Sequence, residues 1–324
     1  MQKIKVGIVG GAGYTGGELI RLLINHPNVN ISFIHSKSNT HKHIGDVHSD
    51  LFYTNLFFSE TLKDEIDVLF LCTGHNESNH FLESNHILDT IKIIDLSQDF
   101  RLKKNQHFMG RDFIYGLPEL NKEAIIHANN IANPGCFATA IQLSLLPLAK
   151  NNLLDEVFIT GITGSTGSGQ ALSNTNHFSW RANNIQPYKT LTHQHLYEIN
   201  ESIENLQNKK ATIQFLPYRG NFTRGILISA TTKTDKKLDE INEIYSQYYQ
   251  NCPFTHLSQK MIDLKQVVNT NHCLLFIEQE KNSIVIHSVI DNLLKGAVGQ
   301  AVQNMNLMVG FEEQTGLLLK AAYF

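Results

Sequence analysis

Short β-branched runs set the pattern of the first third of the chain. Residues 3–10 read KIKVGIVG, a run that breaks into glycines and suits a buried parallel strand. Residues 11–27, GAGYTGGELIRLLINHP, put Leu19, Leu22 and Leu23 on one helical face and stop at Pro27. NISFIHS (30–36), DVLFLCTG (67–74) and IKIIDLS (91–97) repeat the strand pattern, with helical or loop material between them. Strand–helix alternation of this kind predicts a doubly wound parallel sheet. The pattern changes after about residue 136. A helix, FATAIQLSLLPLAKNN, leads into the strand EVFITGITGSTG. ATIQFLPY, TRGILISATTKT, HCLLFIEQE and NSIVIHSVID then follow as strands with fewer helices between them, which predicts a mixed or antiparallel sheet. The late stretch KGAVGQAVQNMNLMVGF reads as an apolar helix whose small residues permit close packing.

Charge and composition narrow the function classes. The formal net charge is −3 and no basic run occurs, so nucleic acid is not an expected partner. No stretch approaches the roughly 18 apolar residues of a membrane span, and the N-terminus does not read as a leader. The four cysteines, Cys72, Cys136, Cys252 and Cys273, are far apart with no CxxC pair. They read as free thiols in a reducing cytoplasm. His35, His41, His43 and His48 crowd one segment, but its Ser, Asn, Lys and Asp content reads as a polar loop; no metal is expected.

The glycine turn carries the first chemistry. Gly10, Gly11, Ala12, Gly13, Tyr14, Thr15 and Gly16 lie between the first strand and the first helix, with Gly10, Gly13 and Gly16 spaced GxxGxxG. Glycines there let the backbone approach a pyrophosphate whose charge meets the helix N-terminus. A tight turn without a ligand is the plainer alternative. The second strand ends in FIHSKSNTHKH, with no acid before Asp46. An NAD site usually places Asp or Glu there. Ser36, Lys37 and Ser38 suit a 2′-phosphate instead, which predicts NADP(H).

Cys136 stands apart from the other thiols. Cys72 and Cys273 lie inside strand-like apolar runs, and Cys252 precedes Pro253 in a polar stretch. Cys136, in NPGCFATA, follows a Pro-Gly turn and opens a predicted helix, a position that favours the thiolate. Helix N–H groups, with Asn133, are suited to stabilise an oxyanion beside the sulfur. HQHLYEI offers His193, His195 and Glu198 as acid–base partners; on an extended segment the two histidines face one side. Taken alone, an HxH is more often a pair of solvated side chains. Arg101, after the fourth strand, ranks first among candidate anion ligands, followed by Arg224 and Lys295.

Together the motifs GGAGYTGGEL, DLSQDFR, YGLPEL, NPGCFAT, GSTGSG, HQHLYEI, TRGIL and DNLLKGAVGQAVQNMNLM resemble the N-acyl-γ-glutamyl-phosphate reductase family of arginine biosynthesis, in its order, over about residues 7–310. The resemblance implies an α/β protein: a Rossmann-like domain at 1–135, completed by 297–324, and an α+β catalytic and oligomerisation domain at 136–296, of the semialdehyde and glyceraldehyde-3-phosphate dehydrogenase type. It implies NADPH, a homodimer or homotetramer, a cytoplasmic site of action and Cys136 as nucleophile. His195 would be the acid–base group, supported by His193 and Glu198, with their division of roles open. One stretch departs from the resemblance: many relatives have a Pro-His pair in the strand before RGIL, whereas FLPYRGNFTRGIL has Tyr218, Arg219 and further residues before Arg224. An added arginine there suits an extra substrate carboxylate, as on an N-succinyl rather than an N-acetyl group; plain solvent exposure is the alternative. Two other readings stand beside this one. An aspartate-semialdehyde dehydrogenase shares the chemistry, but YGLPEL and HxHxxE argue against it. A non-catalytic NADP-binding sensor has no use for an activated thiol. The polar loop 173–190, with Trp180, is expected to be a lid or an interface.

Overall fold

A computed structural model describes residues 3–324. The chain divides into two compact units, Met1–Pro134 with Ala297–Leu318, and Gly135–Gly296 with Leu319–Phe324. Unit one runs β1 (Ile4–Val9), α1 (Tyr14–Leu23), β2 (Val29–His35), β3 (Phe58–Ser59), β4 (Val68–Leu71), α2 (Glu77–Ser84), β5 (Lys92–Asp95), β6 (His107–Phe108), β7 (Arg111–Tyr115), α3 (Pro118–Ile126) and β8 (Asn130–Ala132). Its sheet has the order β3-β2-β1-β4-β5-β8-β7-β6 and is parallel except for the β6–β7 hairpin. The β-branched runs are buried as the parallel sheet requires: all of β4 and the last four residues of β1 are out of solvent. Strand order reverses between β1 and β4, so the crevice outside their carboxyl ends is where an open sheet of this kind takes a ligand.

Unit two runs α4 (Cys136–Lys150), β9 (Glu156–Thr163), α5 (Phe178–Arg181), β10 (Gln186–Pro187), α6 (His195–Gln207), β11 (Thr212–Arg219), β12 (Ile226–Lys233), α7 (Leu238–Tyr249), β13 (Thr255–Leu257), β14 (Cys273–Glu280) and β15 (Ser283–Ile290). Its sheet is mixed, in the order β10-β11-β9-β12-β15-β14-β13, with β9–β11 and β13–β14 parallel and the remaining pairs antiparallel. Alternation sorts the faces. Val157, Ile159, Ile228, Ala230 and Ile286 are buried on one face, where α4 packs on β12 and β15 and α6 on β11. Phe158 and Thr160 of β9 point to the other face and are exposed.

α4 is the core of unit two: Phe137 through Ala149 are all buried. Pro147 inside it removes the N–H that would bond the Leu143 carbonyl. α7 repairs the loss, because Tyr249 donates its hydroxyl to Leu143 O at 2.6 Å; beside it Tyr245 donates to Ser144 O at 2.5 Å. The Tyr249 hydroxyl thus satisfies a carbonyl that burial would leave costly.

After β15 the chain makes a π-helical turn, Leu294–Val298, and enters α8 (Gly299–Met308), which belongs to unit one. The pattern KGAVGQAVQNMNLMVGF reads as an apolar helix, yet Gln300, Gln303, Asn304 and Asn306 are buried with it. Asn304 Nδ2 donates to Gly116 O at 2.8 Å and to Asn133 Oδ1 at 3.1 Å, and Asn306 Oδ1 lies 3.0 Å from His26 Nε2. Residues 319–324 cluster with unit two. Among the described residues no helix is long and apolar enough to cross a membrane.

Candidate active site

The glycine turn of unit one divides its labour by position. Gly10 has φ +80°, and a Cβ there would meet the Cys72 carbonyl oxygen at 2.4 Å. Only glycine fits this turn. A Cβ on Gly16 would lie 2.4 Å from Gly10 O, so the third glycine allows the helix to sit against the turn. A Cβ on Gly13 would meet only Gly10 O, at 3.7 Å, so this side is open. α1 starts at Tyr14 with no side-chain cap on its first N–H groups. An open glycine before an uncapped helix N-terminus is the arrangement that takes an anion. His48 supports the turn from below, with Nε2 2.8 Å from Gly11 O.

The four clustered histidines do not converge. His48 is spent on Gly11. His43 accepts from Gly45 N at 3.0 Å and its Nε2 lies 2.6 Å from Thr54 O. Among the described residues no group of three or more His, Cys, Asp or Glu side chains is placed to hold a metal. After β2 the segment Ser36–Thr40 folds on itself, with Thr40 Oγ1 donating to Ser36 O at 3.1 Å and Asn39 Nδ2 to Ser38 Oγ at 3.1 Å. Ser36 is buried; Lys37 and Ser38 are exposed, and no carboxylate stands in this turn.

Arg101 and Asn133 also lie in unit one, and both are engaged with backbone. Arg101 is buried, donating from Nε to Asn133 O at 2.8 Å and from Nη2 to Leu96 O at 3.1 Å. Asn133 donates from Nδ2 to Ala297 O at 3.1 Å. Asp95, at the end of β5, is fully buried, and burial pushes its carboxyl up to about 6. It accepts from Ser78 Oγ at 2.5 Å and Ser97 Oγ at 2.7 Å. Cys72 beside it is a thiol pushed up by burial and by the charge of Asp95, the opposite of an activated one.

In unit two α4 opens at Cys136, with Gly135 as its N-cap and no side-chain cap. The first intrahelical bond runs from Thr139 N to Gly135 O at 2.8 Å, so the N–H groups of Phe137 and Ala138 precede the ladder. Gly135 N donates to Glu198 Oε2 at 3.2 Å. Glu198 Oε1 lies 4.0 Å from His195 Nε2. One buried carboxylate therefore links the turn before the thiol to the histidine.

The histidine pair is built differently from its sequence-based geometry. His193 and His195 do not share an extended strand. His195 is the first residue of α6 and Glu198 follows one turn later on the same face. His193 precedes the helix and accepts the His195 backbone N–H on Nδ1 at 3.2 Å, with ring centres 4.6 Å apart. Phe137, Tyr188 and Phe215 rings stand edge-on to His193. Burial, with Lys189 second, pushes His193 down to about 4, so it is neutral at pH 7.

Tyr188 completes this wall and was not singled out from sequence. Burial and then the Cys136 charge push its phenol up, so it remains an O–H donor beside the thiol. Its N–H donates to Pro217 O at 3.0 Å, which docks the loop 173–190 on β11. No periodicity in a polar loop announces such a contact. Gly296 packs on Cys136, since a Cβ there would meet Cys136 Cβ at 2.8 Å. Its N–H donates to Asp291 O at 2.9 Å. The fully buried Asp291 holds Arg224, which donates from Nε at 3.0 Å and from Nη2 at 3.2 Å. Lys295 is fully buried, 6.0 Å from the Phe254 ring centre.

Comparison with known proteins places this arrangement. The model of the semialdehyde dehydrogenase NAD binding domain matches residues 5–128, and that of the semialdehyde dehydrogenase dimerisation domain matches residues 136–292. The chain is 54% identical to the N-acetyl-gamma-glutamyl-phosphate reductase of Phocaeicola vulgatus, over 99% of this chain and 100% of that one. It is 56% identical to the protein of that name from Azobacteroides pseudotrichonymphae, with the same coverage. Among solved structures, aspartate semialdehyde dehydrogenase II from Vibrio cholerae, complexed with ASA, superposes with a TM-score of 0.73 at 17% identity, over 96% of this chain and 99% of that one. Aspartate semialdehyde dehydrogenase with NADP from Candida albicans gives 0.68 at 15% identity, over 94% and 98%. At such identities these structures share the fold alone.

Proposed function

The chain belongs to the N-acetyl-gamma-glutamyl-phosphate reductase family, and on that premise we propose that it reduces an N-acyl-γ-glutamyl phosphate to the N-acyl-glutamate 5-semialdehyde and phosphate, with NADPH, in arginine biosynthesis. The observation that carries the mechanism is Cys136 at the first turn of α4, tied through Gly135 and Glu198 to His195.

The glycine turn fits the cofactor: Gly13 leaves room, α1 offers uncapped N–H groups, and no acid stands between β2 and Asp46 to oppose a 2′-phosphate. Gly10 to Gly16 would hold the pyrophosphate, and Lys37 and Ser38 the 2′-phosphate, with Ser36 shaping their turn. Bound there, NADPH supplies the hydride that reduces the thioester carbon.

The chain's own residues do the rest. The helix N-terminus favours the Cys136 thiolate, which attacks the acyl carbon. Phosphate leaves with the C–O bonding pair, and a thioester to Cys136 remains. Arg224, oriented by Asp291, is assigned to the departing phosphate. The N–H groups of Phe137 and Ala138, with the Tyr188 hydroxyl, stabilise negative charge on the former carbonyl oxygen. After reduction that charge re-forms C=O, the C–S bond breaks, and His195 gives its proton to the departing sulfur. His193, neutral by burial, takes no proton and positions His195. Arg101 and Asn133, engaged with backbone, are positioning residues of unit one. A homodimer or homotetramer acting in the cytoplasm suits the matched dimerisation domain and the biosynthetic role.

A phosphate- or arsenate-dependent NADP+ reduction assay with N-acetyl-glutamate 5-semialdehyde tests this directly. Turnover is expected, together with its loss in C136S while NADPH still binds. Higher kcat/KM on aspartate semialdehyde, or turnover in C136S near the unsubstituted level, would overturn it.

A further inference from the structure

Unit two holds two arginines that no acid neutralises. Arg219 ends β11 and Arg181 ends α5. Arg181 is buried and donates from Nη2 to the Gly220 carbonyl. Arg219 donates from Nη1 to Thr175 Oγ1 at 3.2 Å, and its guanidinium carbon lies 4.8 Å from the Tyr188 ring centre. Among the described residues neither guanidinium reaches a carboxylate. Burial, and then the charge of Arg219, hold Arg181 below its ordinary range. Two like charges, one of them buried, are unfavourable together until an anion joins them. A purely structural arginine pair would gain by recruiting an acid from the chain; this one makes hydrogen bonds to a carbonyl, a threonine hydroxyl and the Tyr188 phenol. Arg219 packs on the Tyr188 ring, and the Tyr188 phenol also feels the charge of Cys136, the residue assigned to carry the acyl group.

We propose that Arg181 and Arg219 form the carboxylate subsite for the acyl-phosphate substrate, with Thr175 and Tyr188 fixing the Arg219 fork. This rests on the reductase reading. A guanidinium matches a carboxylate through paired N–H donors, which suits a planar anion held at a fixed distance from a covalent attachment point. The substrate offers such a group in two places: the α-carboxylate of its glutamyl part, or the terminal carboxylate of a dicarboxylic N-acyl group such as succinyl. Arg219 is the member that sequence reading singled out. Arg181 is added by the structure alone, since it comes from a four-residue helix in a polar loop.

The test uses the full chain in the oxidative direction, with NADP+, inorganic phosphate and either N-acetyl- or N-succinyl-glutamate 5-semialdehyde. Variants are Arg219→Gln, Arg219→Lys and Arg181→Gln. Arg219→Gln is expected to raise the semialdehyde KM about 10- to 100-fold, the usual effect of losing a charge-assisted hydrogen bond. The kcat and the phosphate KM should change little, and Arg219→Lys, which keeps charge but not the fork, should fall between. Equal losses on both semialdehydes assign the α-carboxylate; a loss confined to the succinyl compound assigns the acyl group. An unchanged semialdehyde KM on both compounds, in a variant whose NADP+ affinity and thermal midpoint match the parent, overturns the proposal. So does a rise confined to the phosphate KM. If the unsubstituted chain oxidises neither semialdehyde, the reductase reading itself falls, and this subsite with it.

Discussion

His195 and His193 show how two neighbouring residues of one type take different work. His195 opens a helix and faces Glu198, whereas His193 is enclosed by three aromatic rings and is held neutral. Replacing His195 by Asn is expected to lower kcat about 10²- to 10⁴-fold, the span of a lost acid–base group. Alkylation of Cys136 should persist in that variant, because α4 still supplies its dipole; a kcat within threefold of the parent would assign the proton to another group. His193 is tested through stability. Its folded value of about 4 lies below the ordinary 6.5, so between those values the unfolded chain binds a proton that the folded chain refuses. The stabilisation is complete above pH 6.5 and is lost as pH falls through 4, amounting to up to about 3 kcal/mol. His193→Gln, which can still accept the His195 N–H, should flatten the fall in unfolding free energy across that window. Urea titrations at pH 7, 5.5 and 4.5 measure it, and parallel curves for parent and variant would remove the assignment.

At the scale of elements, the glycine turn separates folding from binding. Gly10 combines a positive φ with backbone contact at Cys72 O, so Gly10→Ala must move the turn and should cost at least about 1–3 kcal/mol. Gly13→Ala meets only an ordinary contact at 3.7 Å, and its backbone angles suit any residue. It should fold with an unchanged thermal midpoint yet bind NADPH at least tenfold more weakly, because the methyl group occupies the side left open to a pyrophosphate. Fluorescence titration of NADPH against both variants reads the difference. Equal affinity in Gly13→Ala and the parent would show that the pyrophosphate does not use this turn. The first turn of α4 works by the same rule: uncapped N–H groups beside a small residue mark a place for negative charge.

For the whole molecule, the face of the unit-two sheet opposite Val157 and Ile159 carries exposed β9 side chains, with Phe158 48% exposed on it. Carried by the matched dimerisation domain, self-association is expected to use this face. Phe158→Glu should shift the light-scattering mass toward the monomer while a dilute sample keeps its circular dichroism; an unchanged mass would place the contact elsewhere. Much of the architecture was legible in the chain. Period-two and β-branched runs are local signals of strands, and the glycine spacing and the Pro-Gly-Cys turn are local signals of helix N-termini, so the doubly wound sheet and the helix that opens at Cys136 could be read from residues adjacent in sequence. Glu198 was named from sequence as a neighbour of the histidines, but that it lies one helical turn from His195 is seen only in the structure. Other roles depend on residues far apart. The HxH looked extended because spacing alone does not say where a helix begins. Tyr188 and Arg181 lie in a polar loop without period, and only its docking on β11 brings them beside Arg219. His48 reaches the glycine turn from a loop that composition alone marks as solvated. Sequence determined which backbone conformations this protein takes and where a cysteine opens a helix, because those follow from neighbouring residues. Tertiary structure decided which side chains surround that cysteine and which of them stay neutral, because burial and cross-strand pairing join segments that no local pattern connects.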